Sequence, residues 1–318
     1  VLMKYDLGVT LKNVEINLQH ICIFLEASIM IKIEKSNEFV QDNEIHMQIL
    51  DHLENDKGFF RLSTKLGQQS EEETKNWFLE FCRKIGTPLS QSEQGDILLS
   101  VRNLSLDEKD PRTRGPNTNK KLSFHTDRCD VIGFFCLQPA KSGGENQIIQ
   151  SEKVEKIIKN EKPNLYHILC QKFPYKTHTI DQANLRPYCE QPIFSKKDGY
   201  FACSYLRVLI NRADQDPDCP NLSIRQKEAL DFLDSVCERE ELQTRFTLKR
   251  GEFLFLNNWT TLHRRTAFED FSNPEQRRHL LRVWLSVPNS RPIDESFLAN
   301  FGAVGAGEVR GGIKKLAD

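Results

Sequence analysis

Apolar positions in the second half of the chain recur with the two-residue period of β-strands, or as short apolar runs bounded by polar residues. Both patterns are typical of strands in a sheet. The predicted strands are Asp130 to Leu137, Tyr200 to Tyr205, Glu252 to Leu256 and Leu280 to Val287. The sequence lacks an alternating rhythm of strands and helices with a glycine-rich phosphate turn, so a dinucleotide-binding fold is disfavoured.

Two segments carry the helical period instead, and each begins with a capping box. Ser70 is followed three residues later by Glu73, and apolar side chains then recur at helical spacing up to Ile85. Ser223 and Gln226 open a second segment of this kind. Strands with a few helices predict a mainly β fold with flanking helices and a core of jelly-roll type.

We expect a single domain over residues 30–318, with an insertion at about 151–248 between strands of the sheet. Residues 1–29 are an N-terminal extension of uncertain status. Its apolar run is too short and too interrupted to span a bilayer, and it lacks the basic start and small-residue cleavage site of a secretion signal. No membrane association is therefore expected. The glycine-rich tail from Phe301 to Gly312 is predicted either as a flexible terminus or as a flap that brings Arg310 over the site.

Charge and cysteine content narrow the partners and the compartment. The net charge is −1 and the isoelectric point about 6.8, whereas a nucleic-acid-binding protein needs a concentrated basic surface, so no nucleic acid is expected. Nine cysteines without regular spacing do not resemble a disulfide framework, which favours the reducing cytoplasm. No sequence pattern specifies an oligomeric state.

Candidate metal ligands lie just before the first predicted strand. His125 and Asp127 are two positions apart, so on extended backbone their side chains point the same way while Thr126 points away. His263 follows the third predicted strand and is a candidate third ligand. Two neutral imidazoles and one carboxylate suit Fe(II) and leave positions open for a cosubstrate and dioxygen.

Two arginines share a face of the last predicted strand. Period two places Arg278 and Arg282 on the same side, whereas the opposite side is almost entirely apolar. Burial of two guanidinium groups is costly unless an anion meets them, and arginine suits a two-point grip on a carboxylate. Arg278 is therefore predicted to bind the distal carboxylate of a 2-oxo acid. Arg282 lies about 13 Å further along an extended strand and is predicted to face the primary substrate or the metal-bound end of the cosubstrate.

The combination and order of these motifs resemble the taurine dioxygenase (TauD/TfdA-like) family. The resemblance covers roughly residues 90–300 and includes the segment Ser142-Gly143-Gly144-Glu145-Asn146 and the Asn-Trp-x-x-Leu-His setting of His263. It implies a cupin-like, double-stranded β-helix core and an Fe(II)- and 2-oxoglutarate-dependent oxygenase that uses dioxygen. The residues it assigns are the iron ligands His125, Asp127 and His263 and the 2-oxoglutarate clamp Arg278.

Two departures from taurine dioxygenase concern the cosubstrate and the substrate. Where that enzyme has a threonine that contacts 2-oxoglutarate, this chain has Asn146, whose amide can still donate a hydrogen bond. The 15 positions from His263 to Arg278 exceed the spacing in the taurine enzyme and resemble carnitine-biosynthesis and clavaminate-type members. Taurine is therefore not the implied substrate. The carboxylate of Asp127 favours hydroxylation over halogenation, with desaturation or ring closure as alternatives.

Polar side chains around the predicted metal indicate the class of primary substrate. If two or more of them line the pocket, the substrate is a small acidic or amino-acid-like molecule, and the loop from Arg112 to Lys121 is its predicted rim. Each has an alternative structural role at a sheet edge, on the surface or in an ion pair. The candidate substrate contacts are Arg128, Tyr205, Arg207 and Arg282.

The same candidate metal ligands are compatible with other functions. A zinc or manganese cupin-like hydrolase or isomerase would use the same ligands, but it would have no need of Arg278. A catalytically idle fold would instead sense or store a small anion. A nucleic-acid demethylase is disfavoured by the near-neutral net charge.

Overall fold

The computed structural model describes residues 30–33, 43–64, 70–106, 115–177 and 187–313. The predicted N-terminal extension, residues 1–29, and the beginning of the predicted rim loop, up to residue 114, lie outside these ranges. None of the described helices has both the length and the apolar composition that a bilayer crossing requires.

The described elements are sixteen mostly short strands, often several in succession, and seven α-helices. The strands are β1 (Met30–Ile33), β2 (Phe59–Thr64), β3 (Thr87–Leu89), β4 (Leu99–Val101), β5 (Val131–Gln138), β6 (Ser142–Gly143), β7 (Asn146–Gln150), β8 (Phe173–Lys176), β9 (Tyr188–Gln191), β10 (Phe194–Lys197), β11 (Tyr200–Cys203), β12 (Thr244–Phe246), β13 (Glu252–Asn257), β14 (Thr261–Arg265), β15 (Phe268–Glu269) and β16 (His279–Ser286). The helices are α1 (Asn43–Asn55), α2 (Glu71–Ile85), α3 (Ser151–Glu161), α4 (Pro163–Leu169), α5 (Arg207–Asp214), α6 (Ile224–Cys237) and α7 (Leu298–Phe301).

The four predicted strands correspond to β5, β11, β13 and β16, and the two predicted helices to α2 and α6, with bounds that differ by one or two residues. Both predicted capping boxes form: Ser70 and Glu73 at α2, and Ser223 and Gln226 at α6, exchange side-chain and backbone hydrogen bonds. These contacts satisfy amide groups that the first helical turn leaves without partners.

Two sheets face each other across an apolar layer. The large sheet has the order β1-β2-β13-β5-β16-β3, with β4 also paired to β16, and the smaller sheet has the order β12-β7-β14. Ile148 of the smaller sheet packs in one cluster with Ile132 and Leu254 of the large sheet. The predicted mainly β fold with flanking helices is therefore confirmed.

The outer face of the large sheet is covered by α2. Phe78 and Phe81 of this helix are fully buried against Phe135 and Phe253 of the sheet, whose rings lie 4.6 Å apart. Each buried phenylalanine contributes roughly 1.5–3 kcal/mol. This packing leaves the inner face of the sheet available to line a cavity.

Between β7 and β13 the chain forms a second apolar cluster, in the region where we predict an insertion. Val154 and Ile158 of α3 and Leu230 of α6 pack there with Phe124 and Leu262, which flank the candidate metal ligands. This helical layer therefore supports the smaller sheet from the outside. The division into one domain with an insertion stays a prediction.

The C-terminal tail as far as Ile313 packs against the core, because a buried ion pair holds it. Arg310 is fully buried, and its Nε donates a hydrogen bond to Asp130 Oδ1 at 2.6 Å. Trp259 Nε1 donates to the same oxygen at 2.8 Å, and Ser286 Oγ donates to Asp130 Oδ2 at 3.0 Å. Both predictions for Arg310, a flexible tail or a flap over the site, are wrong, since the buried carboxylate requires a buried cation.

We expect Arg310→Met to lower the free energy of unfolding by about 3–5 kcal/mol, because it leaves the Asp130 carboxylate buried without its cation. Urea unfolding followed by circular dichroism measures the change. The matched control is Arg225→Met, which breaks an exposed ion pair with Glu228 and should cost less than about 1 kcal/mol. Equal losses in the two variants would contradict the prediction.

Candidate active site

Backbone pairing brings the three predicted metal ligands together. His125 and His263 form an antiparallel bridge in which each amide donates to the other's carbonyl at 3.0 Å, and their rings lie 4.5 Å apart. Asp127 Oδ2 lies 3.9 Å from His263 Nε2. One ligand atom from each of the three residues lies within 4.8 Å of the other two. The side chains therefore converge as a single metal ion requires.

Neighbouring side chains orient these groups. Asp127 N donates to Asn258 Oδ1 at 3.1 Å, and Trp284 Nε1 donates to Asp127 Oδ2 at 3.3 Å. His125 Nδ1 lies 2.9 Å from the carbonyl of Ser123. A proton on this nitrogen leaves Nε2 as the ligand atom, as is usual when the second ring nitrogen of a metal-binding histidine has a carbonyl partner.

The charges at this cluster suit a divalent cation. Burial and the nearby His125 lower the pKa of His263 to about 3, so its imidazole is neutral at physiological pH. Burial raises the pKa of Asp127, but the positive charge of Arg282, whose Nη1 lies 3.6 Å from Asp127 Oδ2, contributes to a net lowering. An ionised carboxylate and neutral imidazoles are the donor set that non-haem Fe(II) prefers.

Arg278, just before β16, places a buried guanidinium beside the smaller sheet. It is 4% exposed, and its Nη1 has no hydrogen-bond partner among the described residues. Burial lowers the pKa of Arg278 to about 10, so it remains a cation at neutral pH. Gly144 lies beside this side chain and has a φ of 70°, a backbone conformation that favours glycine. A buried cation with an unused donor is a site for an anion.

One cavity of about 1240 Å³ joins the three candidate ligands to Arg278. This is spacious for a small-molecule site, which typically measures roughly 300–1,000 Å³. The segment from Gly115 to Lys121 contributes to its lining, in agreement with the predicted rim. The other predicted cosubstrate and substrate residues that line the cavity are Asn146, Arg128, Arg207 and Arg282.

The predicted substrate contacts differ in how strongly other groups hold them. Arg128 Nε donates to the carbonyl of Asn300, whereas Arg207 is held by Asp231 and Asp234 at 2.7 and 2.9 Å. Asn146 Nδ2 donates to the carbonyl of a residue in β12 at 3.3 Å. Arg207 thus has less freedom to turn toward a ligand than its position on the cavity wall alone would indicate.

Tyr205 is the predicted substrate contact that the structure does not bring to the cavity. Its side chain is fully buried, and its hydroxyl donates to Asp234 Oδ1 at 2.6 Å. Its backbone pairs with Thr126, whose amide donates to the Tyr205 carbonyl at 2.7 Å. The residue therefore holds the segment that carries His125 and Asp127 against α6, which period and composition alone do not indicate.

Sequence reasoning missed two residues of this site. Gln91 Oε1 accepts a hydrogen bond from Arg282 Nε at 2.7 Å, and Gln91 lies in a polar stretch without periodicity that gives no signal. Arg265 also lines the cavity. The period of two from His263 would have placed it on the same face of β14 as this ligand.

The model of the taurine catabolism dioxygenase TauD, TfdA family matches residues 33–284. The chain belongs to this family. Membership confirms the family prediction, and the enzymes of this family are 2-oxoglutarate-dependent dioxygenases that use Fe(II) and dioxygen.

Individual relatives are distant. The chain is 28% identical to FR-33289 synthase of Streptomyces rubellomurinus over 219 residues. The alignment covers 67% of this chain and 63% of that protein, so the chain spans less than two thirds of this relative. A structure of asparagine oxygenase with Fe(II), 2S,3S-3-hydroxyasparagine and succinate aligns with a TM-score of 0.60 and 12% identity, over 80% of this chain and 93% of that one. The non-haem iron oxygenase OrfP with Fe and alpha-ketoglutaric acid aligns with a TM-score of 0.53 and 13% identity, over 80% and 93%. At these identities the two structures show a shared fold alone.

We expect Arg278→Met to raise the free energy of unfolding of the protein without ligands by about 1–3 kcal/mol, because it removes a buried donor that has no partner. Thermal and urea unfolding measure this. Arg282→Met is the matched control and should lower stability, since it deprives Gln91 and Asp127 of their cationic neighbour. Destabilisation by Arg278→Met as large as that by Arg282→Met would contradict the prediction.

Proposed function

We propose that this protein is an Fe(II)- and 2-oxoglutarate-dependent dioxygenase that oxidises an unactivated C–H bond of a small anionic molecule and releases succinate and CO2. Hydroxylation is the proposed outcome. The observation that carries the proposal is the Arg278 guanidinium, which lines the same cavity as a His-Asp-His cluster and has an unused donor. The two facing sheets and the asparagine oxygenase alignment support a double-stranded β-helix core.

In this proposal His125, Asp127 and His263 hold Fe(II), which supplies the activation of dioxygen for C–H oxidation. Arg282 and Trp284 keep the Asp127 carboxylate ionised and fixed through contacts to Oδ2. A fixed carboxylate limits the geometries that the site can adopt, and so contributes to metal selection.

Arg278 and Asn146 are the proposed cosubstrate residues. The planar guanidinium of Arg278 can make two parallel hydrogen bonds to the distal carboxylate of 2-oxoglutarate. Its burial excludes water, which strengthens that ion pair. Asn146 lines the same cavity and has an amide of adjustable direction.

An acidic or amino-acid-like substrate is proposed because positively charged side chains predominate among the charged residues that line the cavity. Asp127 is the sole acidic side chain among the described residues that line it, whereas Arg128, Arg282 and several other basic side chains do so. A carboxylate or another anionic group on the substrate would therefore meet positive charge. The asparagine oxygenase complex, with its bound hydroxyasparagine, supports a substrate of amino-acid size.

We also infer the domain organisation and compartment. Residues 30–318 are proposed to form one oxygenase domain with an insertion at about 151–248, preceded by the extension 1–29, and the continuous family match over 33–284 supports this. The cytoplasm stays the predicted compartment, because the nine cysteines lack the spacing of a disulfide framework.

The alternative is a cupin-like metalloprotein that acts as a hydrolase, an isomerase or a small-anion sensor. Such a protein would bind a metal at the three ligands but would produce no succinate. Release of succinate from 2-oxoglutarate in the presence of Fe(II) and oxygen therefore separates the two functions.

We expect Asp127→Ala and His263→Ala each to weaken Fe(II) binding by at least about 100-fold, since loss of a direct ligand should exceed the 10–100-fold effect of outer partners. Anaerobic titration with Fe(II) and 2-oxoglutarate, followed by the charge-transfer absorption of the complex, measures binding. Exposed His167 provides the control His167→Ala, which should bind like the natural protein. Full Fe(II) affinity and succinate release in Asp127→Ala would refute the proposed site.

We expect Arg128→Gln to raise KM for an acidic substrate by about tenfold or more, because one charge-assisted hydrogen bond contributes about 1.5–3 kcal/mol. A succinate-release screen that pairs carboxylates, phosphonates and sulfonates with their neutral esters or amides first finds the substrate. Arg245→Gln, outside the cavity lining, is the control. Turnover of neutral or cationic compounds alone would contradict the proposal that the substrate is anionic.

A further inference from the structure

Arg265 is a buried cation in the active-site cavity that the proposed reaction leaves without a role. It follows His263 by two positions on the same face of β14 and is 6% exposed. Its Nη1 donates to the carbonyl of Thr118 at 2.8 Å, and its Nη2 donates to the carbonyl of Lys120. Its Nε is buried and has no hydrogen-bond partner among the described residues.

The guanidinium of Arg265 lies beside that of Arg278. Their Cζ atoms lie 4.6 and 5.0 Å from the centroid of the same Phe268 ring. Asp270 is the acidic side chain whose charge acts on both arginines. Two buried cations and one carboxylate leave a net positive charge, which an incoming carboxylate can neutralise.

The same side chain also holds the rim of the cavity. Thr118 and Lys120 belong to the segment from Gly115 to Lys121, of which Thr118 and Lys121 line the cavity. Backbone contacts attach this segment to the same strand region, since the carbonyl of Arg265 accepts from Leu122 N at 3.0 Å. One arginine therefore contacts both the anion site and the rim segment.

We propose that Arg265 is a positioning residue that links the distal carboxylate of the cosubstrate to the rim segment. A carboxylate at Arg278 offsets the repulsion between the two guanidinium groups. It thereby stabilises Arg265 in the orientation in which its Nη groups hold the carbonyls of Thr118 and Lys120. Binding of 2-oxoglutarate thus orders the substrate entrance before the substrate arrives, an inference that rests on the proposed function.

Hydrogen–deuterium exchange of the full chain with Fe(II), under anaerobic conditions, tests this link. Saturating 2-oxoglutarate should slow amide exchange in peptides that cover residues 115–122, whereas 2-oxobutyrate, which lacks the distal carboxylate, should not. Arg265→Gln should lose this slowing and should weaken 2-oxoglutarate binding by about tenfold. Arg265→Lys keeps the charge but cannot hold two carbonyls, so it should bind 2-oxoglutarate better than Arg265→Gln and still lose the rim response.

The matched control is Arg291→Gln, because Arg291 is as buried as Arg265, pairs with Glu54 at 2.8 Å and does not line the cavity. This variant should retain the slowing. Slowing of the same size in Arg265→Gln saturated with 2-oxoglutarate, or in the natural protein with 2-oxobutyrate, would overturn the inference. Failure of the natural protein to bind 2-oxoglutarate would instead overturn the proposed function. If Arg265→Gln does not fold, Arg265→Lys and the comparison of 2-oxoglutarate with 2-oxobutyrate still test the proposed link.

Discussion

The backbone bridge between His125 and His263 is the contact on which the candidate active site depends. These residues are far apart in sequence, and two amide-to-carbonyl hydrogen bonds of 3.0 Å set their relative position. Because side chains of directly opposed residues in a sheet point to the same face, this register alone makes the imidazoles converge. A shift of one residue would turn His263 away from the cavity and Leu262 into it.

The buried arginines discussed above fall into two groups, which differ in whether the protein itself supplies a carboxylate that pairs with the guanidinium. Arg310 has the Asp130 carboxylate, and Arg264 has Glu238, so these cations stabilise the tail and the outer helical layer. Arg278 and Arg265 retain unused donors. Desolvated charge without a partner is unfavourable in the unliganded fold, and the anion that we propose for the site would remove this cost.

The sequence was sufficient for four strands, two helices and part of the site because those patterns are local. Capping boxes gave the starts of α2 and α6, and alternation from Arg278 into β16 placed Arg278 and Arg282 on one face. Tyr205 failed as a substrate contact because its hydroxyl is held by Asp234, a residue of a distant helix. Gln91 was missed for the same reason, since only folding brings it to Arg282.

What the sequence determined by itself was the chemistry of the donor set: two imidazoles, one carboxylate and a guanidinium, in an order typical of one oxygenase family. Tertiary structure alone decided which basic side chains line the cavity. It also decided that Arg310 pairs with Asp130, whereas Arg265 contacts both the proposed anion site and the rim segment. The physical reason is that residue type and period report the local backbone, whereas the partner of a buried charge is set by whichever distant segment packs against it.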